Sequence, residues 1–139
     1  MFKFVVKRLR WLARIPVLPQ LFDAGLVIAT MLFDRPRLRA METFENAVSR
    51  KDAIQRRPHR FGGVGFFVGT TEIGHLHGNG LLDLFVGKSF RTEQVRQGRA
   101  LPHHVFADSG WISFWLRNRT DIAQALELFE IARMYRTSG

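Results

Sequence analysis

The sequence predicts an α+β domain in which an antiparallel sheet of about four to five strands is packed by a C-terminal helix and preceded by N-terminal helices. From residue 61 onwards, short runs of β-branched and aromatic residues are separated by glycine-containing turns. The last segment instead repeats apolar residues at helical spacing, at Ile122, Ala125, Leu126, Phe129 and Ala132. Thr120 or Asn118 can cap this final helix, and Asp121 suits the positive end of its dipole.

Three consecutive antiparallel strands are predicted at the start of the domain, over Val64–Val68, Glu72–His77 and Leu81–Val86. Thr70–Thr71 forms the first turn between them. Gly78–Gly80 forms the second turn, in which the Asn-Gly dipeptide is a strong hairpin signal.

The length of the second turn decides which residues face each other. A three-residue loop with Gly80 in the left-handed position places His75 opposite Asp83. A two-residue turn over Asn79 and Gly80 would slip the register by one residue and move Asp83 to the other face. The first register is favoured, because a buried carboxylate without an imidazole or amide partner is costly.

Local signals predict the remaining elements of the domain. Phe90–Gln97 is predicted as a short helix, which Gly98 ends in the left-handed C′ position. His104–Phe106 is a candidate fourth strand. Trp111–Leu116 alternates as a strand covered on both faces would, which predicts a fifth strand.

Residues 1–49 are predicted to form a helical, basic segment. Four basic residues share one helical face opposite an apolar face, at Lys3, Lys7, Arg10 and Arg14. This pattern suits an anionic membrane surface, and it equally suits a helix that caps the protein's own core. The stretch Val17–Phe33 is too short and too interrupted for a membrane-spanning helix, which needs about 20 apolar residues. We expect a cytoplasmic protein, with peripheral membrane contact through this segment as the alternative to packing.

A change of composition separates this segment from the main domain. Asp34–Arg39 is interpreted as a basic break, and Met41–Val48 as a short helix. The polar, basic stretch Arg50–Arg60 is interpreted as a linker, so the main domain is predicted over residues 58–139. His59 falls in this linker, and its replacement is expected to have no effect.

The composition excludes several classes of function. The chain has no cysteine, which rules out disulfides, thiolate zinc sites, iron–sulfur clusters and a cysteine nucleophile. Residues 1–70 carry 13 Lys and Arg against 5 Asp and Glu, whereas residues 71–139 carry 8 against 7. The basic residues are not interleaved with aromatic ones as a nucleic-acid stacking platform requires. Nucleic acid is therefore a disfavoured partner, and the nearly neutral second half suits a small-molecule site.

Four of the five histidines lie in one 30-residue window, at His75, His77, His103 and His104. Three interpretations are open for them. A neutral imidazole oriented by Asp83 could act as a general base near its usual pKa of about 6.5. Alternatively, His75, His77 and one of the other two could bind a divalent metal. In the third interpretation, the histidines only hold loops in place through hydrogen bonds.

Further residues near these histidines are candidates for contacting a substrate. They are Glu72, His104, Trp111 and Ser113. Trp111 and Ser113 share one face of their strand and could line an aromatic pocket. The glycines around Val64–Val68 do not form a nucleotide fingerprint, because no helix follows to hold a phosphate.

Several motifs of the second half occur together. They are Arg60–Gly63, Glu72–Gly78, Asp83, Pro102–Val105 and Asp108–Phe114. These motifs resemble the luciferase-domain family, which contains bacterial proteins and is similar to the luciferases of bioluminescent mushrooms. The resemblance covers about residues 58–137. It includes the two strand histidines, a glycine five residues before a histidine (Gly98 and His103), and a strand that begins with Trp111.

The resemblance implies oxidation of an enol or phenol, such as a hydroxypyrone, by molecular oxygen. It implies no added cofactor, with O2 as co-substrate, and a divalent metal is the alternative. Carried onto this chain, it makes His75, His77 and His103 the catalytic candidates, with Asp83 beside them. Gly80 stands where the mushroom proteins have a further histidine, and those proteins have longer N-terminal regions with a membrane anchor. A non-catalytic domain that binds a small aromatic ligand or a metal is the alternative function.

Overall fold

The structure is a computed structural model that describes residues 17–138. Its centre is a six-stranded antiparallel sheet in the order β1-β2-β3-β4-β6-β5. The strands are β1 (Ile54–Pro58), β2 (Val64–Val68), β3 (Thr71–Leu76), β4 (Leu81–Phe85), β5 (Leu101–Pro102) and β6 (Trp111–Trp115). The helices of the described part are α1 (Leu18–Phe33), α2 (Arg35–Ser49), α3 (Lys88–Arg96) and α4 (Ile122–Thr137). The predicted α+β fold is confirmed, with six strands instead of about four to five.

The additional strand at one edge, β1, occupies part of the stretch that was interpreted as a linker. It pairs with β2 along its whole length, from Ile54 opposite Val68 to Pro58 opposite Val64. The polar residues of β1 give no strand signal in the sequence. An edge strand can contain them because it tolerates charged side chains and proline that a central strand does not. Arg56 and its neighbours on this strand are exposed.

At the other edge, the strand predicted over His104–Phe106 is wrong. The strand at this edge is β5, which ends at Pro102 and pairs with Ser113 and Ile112 of β6. Residues 103–108 form an irregular turn instead. This difference matters because side chains of a turn need not alternate between two faces.

Capping side chains and a glycine mark the ends of several helices. The predicted break at Asp34–Arg39 is the start of α2: the Asp34 carboxylate accepts a hydrogen bond from the backbone amide of Arg37 at 3.1 Å, as an N-cap does. Gly98 follows α3 with a φ of +69°, as predicted. Asn118 and Asp121 form a capping box on the short 3-10 helix Arg119–Asp121, which leads directly into α4.

The apolar core lies between one face of the sheet and the helices α2 and α4. Its centre is a group of three phenylalanines, Phe44 of α2, Phe66 of β2 and Phe129 of α4, whose rings meet edge to face at 5.6–5.9 Å. All three are fully buried. Rings in this arrangement contribute about 0.5–1.5 kcal/mol per pair beyond the area that they bury.

The hairpin between β3 and β4 sets the geometry of the other face. Gly80 has a φ of +85°, and the amide of His77 donates to the carbonyl of Leu81 at 2.9 Å across the loop. Residues 78–80 are therefore a three-residue loop. The favoured register is confirmed, because His75 lies opposite Asp83.

Two expectations about the N-terminal segment have different outcomes. The basic helical face of Lys3, Lys7, Arg10 and Arg14 lies outside the described residues. The apolar stretch that follows forms α1. Among residues 17–138, no helix has both the length and the apolar character needed to cross a membrane.

Candidate active site

One row of residues crosses four strands on the sheet face opposite the apolar core. Gly65 of β2 pairs with His75 of β3, His75 pairs with Asp83 of β4, and Asp83 pairs with Ser113 of β6. Because side chains alternate along a strand, these three side chains share a face while the neighbours on each strand enter the core. The sheet therefore lines up an imidazole, a carboxylate and a hydroxyl.

Asp83 is the centre of the site, and four imidazoles converge on it. Its Oδ2 lies 3.1 Å from Nε2 of His77, 3.3 Å from Nε2 of His75 and 3.4 Å from Nε2 of His103. Nδ1 of His104 lies 3.8 Å from the same oxygen. One oxygen has too few lone pairs for four donors. The cluster therefore concentrates proton donors and acceptors at a single point.

The second oxygen of Asp83 is held by a hydroxyl. Ser113 donates a hydrogen bond from Oγ to Oδ1 of Asp83 at 2.5 Å. The carboxylate has no exposed surface. Burial by itself would raise its pKa, but hydrogen bonds from His103, His75 and His77 outweigh burial and hold the pKa far below the usual range. Asp83 is therefore ionised at all ordinary pH values.

Glu72 reaches the same side of the sheet through an irregularity in β3. Regular alternation from His75 would place Glu72 on the core face. The pairing between β2 and β3 shifts between Phe66 and Phe67, so that β3 carries one extra residue at this point. Ile73 then enters the core, fully buried, and the Glu72 carboxylate turns towards His75. Bulges commonly re-aim side chains in this way next to functional sites.

Glu72 bridges two imidazoles. Its Oε1 lies 2.7 Å from Nδ1 of His75 and 3.1 Å from Nε2 of His59. Burial opposes the charged carboxylate, but hydrogen bonds from His59 and His75 outweigh it and lower the pKa of Glu72 to about 2. A second ionised carboxylate therefore lies on the far side of the His75 ring from Asp83.

His75 lies between these two carboxylates. Burial would lower its pKa, but hydrogen bonds to Asp83 and Glu72 outweigh burial and raise the pKa to about 9. Both ring nitrogens therefore carry hydrogens at neutral pH. His75 is an imidazolium, a hydrogen-bond donor on both sides and a local positive charge.

His59 belongs to the site, and the expectation that it lies in a linker outside the cluster is wrong. It is only 5% exposed, and its ring stacks on His75 at 3.9 Å. The backbone amide of Phe61 donates to its Nδ1 at 3.4 Å, which leaves Nε2 to donate to Glu72. Gly65 lies beneath this ring: a Cβ there would come within 3.5 Å of His59.

A sequence signal for His59 was present in the glycine pair that follows it. Gly62 and Gly63 both have positive φ angles, of +93° and +80°, and they form the turn between β1 and β2. The amide of His59 donates to the carbonyl of Gly63 at 3.0 Å across this turn. Interpreting the pair as a hairpin turn would have extended the sheet by β1 and placed His59 beside β3.

His103 and His104 lie on the turn after β5 and stack on each other at 4.5 Å. Because no strand is present here, the two neighbouring side chains need not alternate, and both imidazoles approach Asp83. Nδ1 of His103 accepts hydrogen bonds from the amides of Val105 and Phe106, both at 3.1 Å. The hydrogen of this ring is therefore on Nε2, which faces Asp83.

His104 is the most accessible imidazole of the cluster, with 33% of its side chain exposed, against 17% for His77 and 9% for His75. Burial is the main influence on its ionisation and lowers its pKa, despite the attraction of Asp83. His104 is therefore a neutral imidazole at neutral pH. It lies at the solvent side of a cluster whose centre is charged.

Trp111 closes another side of the cluster. Its ring lies 5.6 Å from that of His75 and 5.9 Å from that of His103. Beyond it, Phe85 contacts Trp111 at 5.4 Å and lines a surface cleft of about 620 Å³. No imidazole lines that cleft, and His104 is the imidazole with the most solvent-exposed side chain.

All eight residues proposed from the sequence lie in one place. They are Glu72, His75, His77, Asp83, His103, His104, Trp111 and Ser113. The individual roles given to them, catalytic or substrate-binding, remain predictions.

The donor atoms of the cluster could also surround a cation. Three overlapping groups have ligand atoms within 4.8 Å of one another: His59–Glu72–His75, His75–His77–Asp83 and Asp83–His103–His104. The set His75, His77 and His103 was the predicted alternative. His103 fits it poorly, because its Nδ1 lone pair faces two amides and its Nε2 carries the hydrogen.

Comparisons with known proteins agree with the motifs. Neither the curated proteins nor the solved structures gave a match to this chain. A protein-family model does match it, and the matched segment runs from the turn before β3 into α4, so that it contains the row His75–Asp83–Ser113 and both histidines of the following turn. The resemblance seen in the sequence is thereby confirmed: residues 70–132 match the Luciferase domain family.

Proposed function

We propose that this protein is a small luciferase-like enzyme that oxidises an enol- or phenol-type substrate, such as a hydroxypyrone, with O2 and without an added cofactor. The observation that carries the proposal is a pair of imidazoles with opposite ionisation beside one carboxylate. The pKa of His75 is raised to about 9 and that of His104 is lowered. Environments that separate two pKa values in this way create an acid and a base in one site.

His104 is assigned the role of general base. It is neutral, and a third of its side chain is accessible, so an incoming hydroxyl group can reach it. A base works best when its pKa lies close to or below the working pH, since it must be free to accept a proton. Asp83, 3.8 Å away, stabilises the positive charge that His104 acquires.

His75 is assigned the role of electrostatic partner and acid. Removal of the hydroxyl proton leaves an enolate or phenolate, and an imidazolium beside it stabilises that negative charge. Trp111, 5.6 Å from His75, offers an aromatic surface for a flat substrate. In this proposal His75 faces the developing charge and His104 takes the proton, whereas the sequence left open which imidazole is the base and gave His104 as a substrate-contacting residue.

The proposed chemistry balances without a reductant. His104 takes the hydroxyl proton, and the resulting anion gives electrons from its nucleophilic carbon to O2. A new carbon–oxygen bond forms, the O2 is reduced to a peroxide anion, and the anion takes a proton from the histidine cluster. Substrate and O2 are thereby combined into a hydroperoxide.

Oxygen uptake tests this proposal directly. With a hydroxylated pyrone as substrate, we expect His104→Gln to lower the rate by roughly 10²–10⁴, the usual contribution of a placed base. Its stability should stay within about 0.5 kcal/mol, because the side chain is partly exposed. Gln97→Ala, an exposed change outside the site, is the control. Full oxygen uptake by folded His104→Gln protein would contradict the assignment.

A binding domain without catalysis is the second candidate, because the cluster contains three groups of possible metal ligands. The group His75–His77–Asp83 has the most suitable donors: a metal could displace the proton of His75 at Nε2 while Glu72 keeps the hydrogen at Nδ1. Metal analysis of the purified full chain separates the candidates. One equivalent of zinc, iron or manganese that His77→Ala removes would favour the second candidate over cofactor-free oxidation.

A further inference from the structure

Helix α1 presents its polar side to the protein. Asp23 accepts a hydrogen bond from the amide of Gly78 at 2.7 Å, and Thr30 donates to the carbonyl of Gly78 at 3.0 Å. Gln20 donates to the carbonyl of His59 at 3.2 Å. Thr30 is the one buried residue of this helix. The side-chain hydrogen bonds between α1 and the rest of the domain are thus made by its polar residues, and Val27 packs against Gly78.

The opposite side of α1 is apolar and exposed. Leu21, Gly25, Ile28 and Leu32 follow one another at spacings of four, three and four, so they form a straight stripe on the outside of the helix. Leu21 is 63% exposed, Ile28 57% and Leu32 68%. A surface helix of a globular protein normally has the reverse arrangement, with its apolar side inside.

The residues beside this stripe enlarge the apolar surface. Val17, Phe22, Met31 and Phe33 are each more than half exposed, and the outward side of the helix carries no charged residue. An exposed apolar surface of this extent marks a place where the protein meets an apolar partner. We refer to the outward residues of α1, from Val17 to Phe33, as the apolar face.

Apart from Asp34, which pairs with Arg37, the charges next to the apolar face are basic. Residues 1–16 precede it directly in the chain and contain five Lys and Arg and no Asp or Glu. Arg35 and Arg39, just beyond its other end, are exposed. Arg60 is exposed on the turn whose Gly62 packs against Pro19 of α1. Apolar surface flanked by basic residues complements a bilayer that contains anionic lipids.

We propose that the apolar face of α1 inserts into the headgroup region of an anionic bilayer, so that the protein binds the membrane surface peripherally. The polar side of the helix holds the domain through Asp23 and Thr30, and the apolar face enters the lipid. The exposed basic residues that adjoin it in the described part of the chain, Arg35, Arg39 and Arg60, contact the anionic headgroups. This inference is independent of the reaction at the histidine cluster.

Vesicle flotation of the full chain tests the proposal. We expect binding to vesicles of phosphatidylcholine with phosphatidylserine, and weaker binding to phosphatidylcholine alone or at high salt. The double variant Leu21→Gln/Ile28→Gln should bind roughly tenfold more weakly or worse, because two apolar side chains no longer enter the lipid. The matched control is Leu101→Gln/Met134→Gln, whose side chains are 51% and 57% exposed elsewhere. It should bind as the unchanged chain does.

Four results would overturn the proposal. Absence of binding to anionic vesicles would do so directly. Unchanged binding by the Leu21→Gln/Ile28→Gln variant would show that the basic residues bind lipid without the apolar face. A dimer in light scattering that this variant converts to a monomer would assign the face to a second copy of the chain. Thermal unfolding of the variant is measured in parallel, and a large loss of stability would mean that the protein itself covers the face.

Discussion

The two faces of the sheet are built from the same strands and have opposite characters. Along β2, Phe66 enters a core of edge-to-face phenylalanines, whereas its neighbour Gly65 makes room for a stacked pair of imidazoles. Along β4, Leu82 and Leu84 are fully buried in the apolar core, and Asp83 between them is fully buried among histidines.

This difference in character indicates that stability of the fold accounts for the core face and not for the histidine face. Burial of apolar side chains is favourable, and this alone accounts for the residues of the core face. Burying charged groups costs free energy that their mutual attraction often only just offsets. Burying Asp83 and the imidazolium of His75 on this face therefore makes the free energy of folding less favourable. Its arrangement is better explained by the chemistry that it makes possible than by stability.

The largest expected effect is on the free energy of unfolding, and it should differ between two neighbouring phenylalanines of β2. Phe66→Ala should lower the free energy of unfolding by about 3–5 kcal/mol, because it leaves a cavity in a fully buried core. Phe67→Ala, on the other face, should cost about half of that or less, because its ring is partly exposed and lies under Arg57. Urea unfolding of both variants measures the difference. Equal costs would mean that the histidine face is packed as a second core.

The same contrast explains how much of the structure could be predicted from the sequence. The core face follows from apolar periodicity, so β2, β3, β4, β6 and α4 were predicted close to their observed bounds. The pairing of His75 with Asp83 followed from turn chemistry and the cost of an unpaired carboxylate.

The features that could not be predicted leave no periodic pattern in the sequence. The strand β1 is an edge strand rich in polar residues, and this concealed the place of His59. The turn over His103 and His104 was mistaken for a strand. The bulge at Ile73, which turns Glu72 towards His75, requires the pairing with β2 to be known. Each of these is a long-range or irregular feature, and all three lie at the candidate site.

A pH titration tests the contribution of His75, the positive charge of the histidine face, to the stability of the fold. The pKa of His75 is about 9 in the folded chain and about 6.5 in an unfolded one. Protonation of His75 therefore stabilises the fold fully below about pH 6.5, and this stabilisation is lost as the pH rises through about 9. At about 1.4 kcal/mol per pKa unit, the loss is about 3 kcal/mol.

His75→Gln is the variant that isolates this effect. Urea unfolding between neutral and alkaline pH should show a decline for the unchanged chain and a much flatter curve for the variant. Phe67→Ala, which changes the same face without removing a titrating group, should keep the decline. A decline of the same size in His75→Gln protein would assign it to other groups.

A smaller effect is expected at His59. In His59→Leu the Glu72 carboxylate loses one hydrogen-bond donor, which should cost about 1–2 kcal/mol at neutral pH. Glu72 has a pKa of about 2 when folded, so its stabilisation is present above about pH 4.5 and is lost as the pH falls through about 2. Without His59 the pKa of Glu72 rises, and acid unfolding should begin at a higher pH.

Circular dichroism during an acid titration measures this shift. Thr92→Ala, which removes an exposed hydroxyl from α3, is the control and should leave the acid transition in place. Identical transitions for His59→Leu and the unchanged chain would restore the view that His59 is a silent residue.

The smallest effect is expected from a methyl group added to the histidine face. At Gly65, on the histidine face, a Cβ would meet the end of the Phe67 ring at 2.6 Å and His59 at 3.5 Å. The Phe67 ring is partly exposed and can move, so Gly65→Ala should cost about 1 kcal/mol or less.

The matched change on the core face is Gly74→Ala in the neighbouring strand. There the Cβ would meet the backbone carbonyl of Asp83 at 2.3 Å and Leu84 at 2.6 Å. Neither can move without disturbing the sheet, so this variant should be several times more destabilising than Gly65→Ala. Thermal unfolding of the two variants compares them directly. A Gly65→Ala chain as unstable as Gly74→Ala would mean that the stacked imidazoles of His59 and His75 are held as rigidly as the core, because the histidine face could then no longer yield to a methyl group.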